Sequence, residues 1–340
     1  MIAPAPASEV ELDERLSRPT QGVVEVLRQL PGDLLILGAG GKMGPTLAMM
    51  ARRALDTRHR VIAVSRFADS SARTRLEAAG VRTESADLSD RSAVDGLPEA
   101  SAVVFMAGQK FGTQDQPHVT WAMNAVVPAL VGERYAGVPT VVFSTGNVYP
   151  LTPVGSGGPT ESDPVGPLGE YAMSCLARER IFQHFSATRH TPIAIFRLNY
   201  AIDLRYGVLV DTARRVRDGV PVPLSMGHVN VIWQGDANAR ALQCLGVTSV
   251  PAGILNVTGP ETVAIRWLTG EFGKRFGVTP RFEGHEAADA LLSNASQSVQ
   301  LFGPPEVDLE TMIDWTAAWL SSGGPLLGKS TRFEVRDGRF

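Results

Sequence analysis

The stretch LLILGAGGKMGPTLAMMARRAL, residues 34–55, decides the fold. Its first four residues are all apolar, as expected of a short strand buried on both faces of a sheet. Gly38, Gly41 and Gly44 follow at three-residue intervals, and a helical stretch from Lys42 to Leu55 comes next. Glycines suit such a turn because it needs positive φ and brings a ligand close to the backbone. The helix start then offers free N–H groups and a partial positive charge. Strand, glycine turn and helix together predict a binding site for the diphosphate of a dinucleotide.

The same alternation continues outward. VIAV (61–64), VRTESAD (81–87), AVVFM (102–106), PTVVFS (139–144) and TPIAIF (191–196) read as strands. Helices are expected at 72–79, 117–136 and 169–189. Strands separated by helices of this length imply βαβ crossovers and a doubly wound parallel α/β sheet with helices on both faces. From 197 the pattern loosens. ILNVT (254–258) reads as one more sheet strand, and helices are expected near 261–276 and 308–321, the latter with Trp315 and Trp319 on one buried face. The domain reading is therefore an N-terminal extension with a short helix (1–32), a dinucleotide-binding domain (33–196 plus 253–258), a smaller substrate lobe (197–252 and 259–330) and a tail (331–340). Residues 1–19 are expected to be poorly ordered or loosely docked, with Thr20 capping a helix to Leu30.

Composition excludes several functions. The 340 residues carry a net charge of −3 with no basic run, which removes the footprint of a nucleic-acid binder. Two cysteines, Cys175 and Cys244, are too few for a disulfide framework or a structural zinc site, and the six histidines show no metal-ligand spacing. No apolar stretch reaches the length of a membrane span, and the start lacks a signal-peptide pattern. The expectation is a soluble cytoplasmic protein with a small-molecule substrate. Strand 61–64 is followed by Ser65 and Arg66, where an acidic residue would grip a ribose 2′-hydroxyl. Arg66 would instead stabilise a 2′-phosphate, so NADP(H) is expected over NAD(H).

With these pieces assembled, the chain resembles the extended short-chain dehydrogenase/reductase family, particularly its epimerases and dehydratases of nucleotide sugars, over residues 33–322. GAGGKMG is similar to the family's glycine loop, which implies that Gly38, Gly41, Lys42, Met43 and Gly44 meet the cofactor. Asp87 and Leu88 in SADLSD resemble the pair at the adenine ring. VVFMAGQKFG resembles the strand and loop under the cofactor, implying contacts from Ala107, Gly108 and Lys110. Asn124 matches the asparagine on the helix lining the active site. VVFSTGNVYP is similar to the strand whose hydroxyl residue orients a substrate carbonyl, mapping to Thr145, with Ser144 beside it as the alternative. Tyr171 follows 26 residues later as the implied acid/base and a cofactor contact. FRLNYAIDLRYG resembles the substrate loop, with Asn199 as a substrate ligand, and His228 is the residue available where an arginine for a sugar diphosphate is usual. The family's homodimer would pack helices 117–136 and 169–189 against their mates.

One departure bears on the chemistry. In EYAMSCLARERIF the resemblance implies lysine one turn after Tyr171, and Cys175 stands there. An ammonium at about 5 Å and an effective dielectric near 20 would favour phenolate by roughly 3 kcal/mol, about two pKa units. Cysteine supplies no such charge. Donating a proton to a carbonyl needs only neutral tyrosine, so hydride chemistry is expected to run more readily as reduction. Lys110 is the candidate to stand in, whereas Arg178, two turns along the helix, is expected to lie too far. The leading reading is an NAD(P)-dependent oxidoreductase or epimerase-like enzyme for a small polar hydroxy or keto compound, such as a sugar or sugar acid. The alternative is a weak or inactive NADP(H)-binding sensor.

Overall fold

The computed structural model describes residues 4–68, 70–113 and 115–339. The first three residues of the expected extension and the last residue of the tail lie outside that range. Seven parallel strands form the central sheet: β1 (Leu34–Leu37), β2 (Val61–Ser65), β3 (Arg82–Ser85), β4 (Ala102–Phe105), β5 (Thr140–Thr145), β6 (Ile193–Leu198) and β7 (Gly253–Val257). Their order across the sheet is β7-β6-β5-β4-β1-β2-β3. The direction of winding reverses between β1 and β4, whose register pairs Leu34 with Ala102 and Leu37 with Phe105. That reversal opens a crevice at the carboxyl ends of the strands, where ligands of open α/β sheets bind.

The all-apolar strands serve two cores. Leu34 and Ile36 point to one face, packing with Leu47, Met50 and Ala51 of the helix Gly44–Ala54 and with Ala237 and Leu242 of the helix Gln234–Gln243. Leu35 and Leu37 point to the other, against Val127, Val131 and Phe182. A separate cluster forms the core of the lobe beyond the sheet and includes Trp233, Trp315 and Trp319. Trp315 and Trp319 are both buried, as expected.

Three findings depart from expectation. The extension is not loosely docked: Ser8 caps a helix Glu9–Leu16, and Leu12 and Leu16 are completely buried in the lobe's core. Burying two leucines contributes roughly 1.5–3 kcal/mol each, and Arg205 ties the same helix down through Glu9 and Asp13. The helix expected at 117–136 is broken by a wide turn at Ala122–Val126, where Val127 N–H bonds back to Ala122 O. Pro128 explains it, since it has no N–H to offer and its ring crowds the carbonyl four residues earlier, that of Asn124. Finally, the described residues after 197 contain three further α-helices, Val208–Arg217, Gln234–Gln243 and Ser296–Phe302. The second, QGDANARALQ, is buried from Gln234 to Leu242 although half of its residues are polar or charged, so apolar spacing does not mark it.

Candidate active site

The glycine turn is built by two constraints and one opening. Gly38 has φ +90°, and a Cβ there would lie 2.5 Å from the Ala107 nitrogen. At Gly44 a Cβ would meet Ala39 O at 2.3 Å, so the helix packs directly on the turn. Gly41 is different: its nearest neighbour would be Gly38 O at 3.6 Å, leaving the outer side open. The following helix starts at Met43 with no side chain capping its N–H groups. Free donors beside an uncluttered glycine fit a diphosphate. Along the same edge, Ser89 and then Arg66 hold the Asp87 carboxyl below its usual range. Arg66 itself is exposed beyond β2, while Leu88 and Ala107 are buried beneath the groove.

Lys42 leaves the turn altogether. Its Nζ donates to Ala201 O at 2.8 Å and sits 4.5 Å from the Tyr206 ring centre, bridging the sheet to the lobe. Burial pushes its pKa down to about 8, with Asp203 opposing and the charges of Arg205 and Lys110 adding to the fall.

The other end of the crevice centres on Tyr171, in the first turn of the helix Gly169–Arg189. Its hydroxyl shares hydrogen bonds with Thr145 and with Cys175. Thr145 is the last residue of β5, and its hydroxyl donates to Asn147 Oδ1 and accepts from Asn147 N–H. Strand alternation sends the neighbouring Ser144 the other way, where it donates to Glu179 Oε1 at 2.5 Å. Glu179 is pinned by a bidentate pair with Arg197, at 2.9 and 2.7 Å, both side chains being buried. Arg197 also donates to the Tyr149 hydroxyl, fastening the strand-to-helix corner. Between the two hydroxyl residues, then, the geometry brings Thr145 to Tyr171 and uses Ser144 in a structural network.

The charges around the phenol are distributed in a way the sequence does not announce. Burial raises the Tyr171 pKa well above its ordinary value; the neighbouring Cys175 adds to this and Arg178 opposes it. Burial likewise raises the Cys175 thiol, which packs with Val148 and Tyr149. Arg178, expected to be out of reach, lines the same cavity. Its guanidinium donates to Phe143 O at 2.8 Å and to Asn124 Oδ1 at 2.6 Å. Asn124, placed by the wide turn, also bonds Ser174 Oγ and both backbone groups of Gln109. This clamps the loop after β4 so tightly that a Cβ on Gly108 would sit 2.4 Å from Arg178 Nη2. Lys110 is thereby held with its Nζ 5.8 Å from the Tyr171 ring centre, and burial pushes its pKa down to about 8.

These groups line a cavity of about 280 Å³. Met43, Lys42, Gly108, Lys110, Thr145, Tyr171 and Asn199 among the predicted residues all reach it. Asn199 is 2% exposed, and its Nδ2 has no hydrogen-bond partner. His228 is not among the lining residues; it lies in a two-stranded pairing with Ala264, with Glu286 nearby. Tyr200, Tyr206 and Thr331 complete the wall on the lobe side. Thr331 belongs to the tail, which is anchored through Asp211 and through Arg336 to Asp289, and which seats Gly338 against Gly169. No sequence signal marks a tail residue as part of a site. Among the described residues no His/Cys/Asp/Glu cluster could hold a metal, and no helix is long and apolar enough to cross a membrane.

The glycine turn at a topological reversal, with a tyrosine and a threonine sharing a hydrogen bond at the same edge, defines an extended dinucleotide-binding dehydrogenase-like fold. Residues 34–202 match the model of the NAD dependent epimerase/dehydratase family. No curated protein matches the chain. Among solved structures, Pal from Bacillus thuringiensis is similar at 19% identity and a TM-score of 0.71, covering 85% of this chain and 99% of that one. The UDP-glucose 4-epimerase of Thermotoga maritima, solved with UDP-glucose, is 15% identical with a TM-score of 0.71, over 86% and 99% of the two chains. The dTDP-glucose 4,6-dehydratase DesIV of Streptomyces venezuelae, solved with NAD, is 20% identical with a TM-score of 0.71, over 85% and 97%.

Proposed function

We propose that the protein is a nicotinamide-dependent oxidoreductase or epimerase-like enzyme that works most readily as a carbonyl reductase on a small polar keto compound. The observation that carries this reading is the hydrogen bond between Tyr171 and Thr145 inside a cavity that opens beside the glycine turn. Gly38, Gly41, Met43 and Gly44 would hold the diphosphate of the cofactor, Asp87 and Leu88 the adenine side, and Ala107 and Gly108 the floor. Arg66, with no acidic residue before it at the end of β2, favours the 2′-phosphate of NADP(H). When bound, the reduced nicotinamide supplies a hydride.

The residues of the chain supply the rest. Thr145 holds the carbonyl oxygen and Tyr171 donates its hydroxyl proton to that oxygen as the alcohol forms. At neutral pH the phenol carries the proton that reduction needs; its raised pKa makes it a weaker acid but leaves almost no phenolate to abstract a proton from an alcohol. Arg178 and Lys110 stabilise the phenolate left behind, in place of the ammonium missing at Cys175, until water returns the proton. Trp121, Val126 and Met173 are large apolar side chains exposed on the two helices that would meet in a homodimer.

The test is a panel of sugar aldehydes, keto sugars and keto acids with NADPH and NADH, each pair run in both directions. Reduction faster than oxidation at neutral pH is expected, and Tyr171→Phe should lower kcat by about 10²–10⁴-fold, the usual worth of a positioned acid. Tight cofactor binding with no turnover across the panel would leave the sensor reading instead.

A further inference from the structure

We propose that the tail, residues 331–339, is a fixed wall of the substrate site in which Thr331 limits substrate size, confining the site to a short hydroxy or keto compound without a nucleotide attached. This rests on the enzyme reading above and narrows its substrate class. On the lobe side the cavity is bounded by Tyr200, Tyr206, Val208 and Thr331. The first three come from one stretch of chain, whereas Thr331 arrives from the far end of the sequence and is buried among them. It is fastened there. Thr331 donates both its N–H and its hydroxyl to one Asp211 oxygen, at 2.8 and 2.6 Å. Bonds to a carboxylate are the stronger class, and Asp211 sits in the helix Val208–Arg217, whose first residue also lines the cavity.

The rest of the tail is anchored along its length. Phe333 is buried in the lobe's core, and its N–H donates back to the Thr331 hydroxyl at 3.3 Å. Arg336 donates to Ser225 O and Asp289 O, both at 3.0 Å, and pairs with the Asp289 carboxylate. Gly338 then packs backbone to backbone on the start of the helix that carries Tyr171. It has φ +74°, and a Cβ there would lie 2.2 Å from Leu168 O. A Cβ on Gly169, two residues before Tyr171, would lie 2.5 Å from Gly338 O. The wall is thus tied to the same helix as the reacting hydroxyl, and the fold sets the span between them. That span is short. The cavity of about 280 Å³ falls below the roughly 300–1,000 Å³ of sites for drug-sized ligands. Under the reading above, the nicotinamide takes part of it beside Met43 and Gly108.

Two measurements on the full chain test this, with Thr331→Ala and Arg336→Ala to open the wall and Thr331→Phe to thicken it. The first is kcat/KM with NADPH for hydroxyacetone and for 2-hydroxyacetophenone, which share a hydroxy ketone and differ in bulk. The preference for hydroxyacetone should fall about tenfold in the two opened variants, the lower end of what one methylene in a pocket is worth, and rise in Thr331→Phe. The change should appear in KM for the bulky ketone. The second needs no turnover: lysines are labelled with cyanate or with fluorescein isothiocyanate and mapped by mass spectrometry, the exposed Lys274 serving as reference. Cyanate should mark Lys42 in every protein, and the bulky isothiocyanate should mark it faster only in the opened variants. Isothiocyanate labelling of Lys42 that is equal in all four proteins overturns the proposal. If both ketones are reduced in one unchanged ratio throughout, the enzyme reading stands and the wall falls. If neither is reduced but the opened variants admit the isothiocyanate, the wall stands and the enzyme reading falls.

Discussion

The two ends of the crevice are made in opposite ways. The glycine-turn end is contiguous: seven residues from Gly38 to Gly44 contain its turn, its opening and its helix start. The tyrosine end is assembled from Lys110, Asn124, Thr145, Tyr171, Arg178, Asn199 and Thr331, which meet only after the sheet has closed. Backbone demands such as positive φ leave a mark in sequence because a single residue type answers them. Electrostatic demands leave none, because a cation can arrive from any element that folds past the site.

The comparison predicts different failures. Glu179→Gln should have the largest effect, since it strands the buried Arg197 charge beneath the Tyr171 corner. About 3–5 kcal/mol of stability should be lost in urea unfolding, and a loss below about 1 kcal/mol would show that the pair does not hold the tyrosine end together. At the glycine-turn end, Gly38→Ala should cost about 1–3 kcal/mol, because φ +90° and the Ala107 backbone both oppose a Cβ. Gly41→Ala should leave the unfolding midpoint nearly unchanged and weaken cofactor binding, since its Cβ would enter open space. If both variants lost stability equally, the division between constraint and opening would be wrong. The smallest effect is expected at Arg66→Ala. NADPH should bind about 10–100-fold more weakly, the range of one charged hydrogen bond, with NADH unaffected. Equal losses for both would remove the 2′-phosphate preference.

The legible part of the fold follows the same rule. Six of the seven sheet strands carry an apolar run, while β3 (RTES) is polar at the sheet's edge, and their order of appearance with intervening helices is enough for a doubly wound sheet. The helix Gln234–Gln243 was not legible because the residues it buries include Gln234, Asp236, Asn238 and Arg240, which an apolar pattern does not reveal. The helix Glu9–Leu16 was hidden by its charge: five of its eight residues are acidic or basic, and only Leu12 and Leu16 carry the docking. At the site, Tyr171 could be placed by its distance from Thr145, whereas Arg178 was set aside by counting helical turns. Counting along one helix ignores that the guanidinium extends toward β5, where Phe143 O receives it.

The wide turn at Ala122–Val126 has a geometric consequence of its own. An α-helix advances about 100° per residue, so one extra residue in a turn swings everything upstream by that angle. Pro128 therefore sets the azimuth at which Trp121 leaves the helix, toward Glu170 at the start of the neighbouring one. A proline seven positions away thus works as an index mark, fixing how two helices face each other without touching either contact.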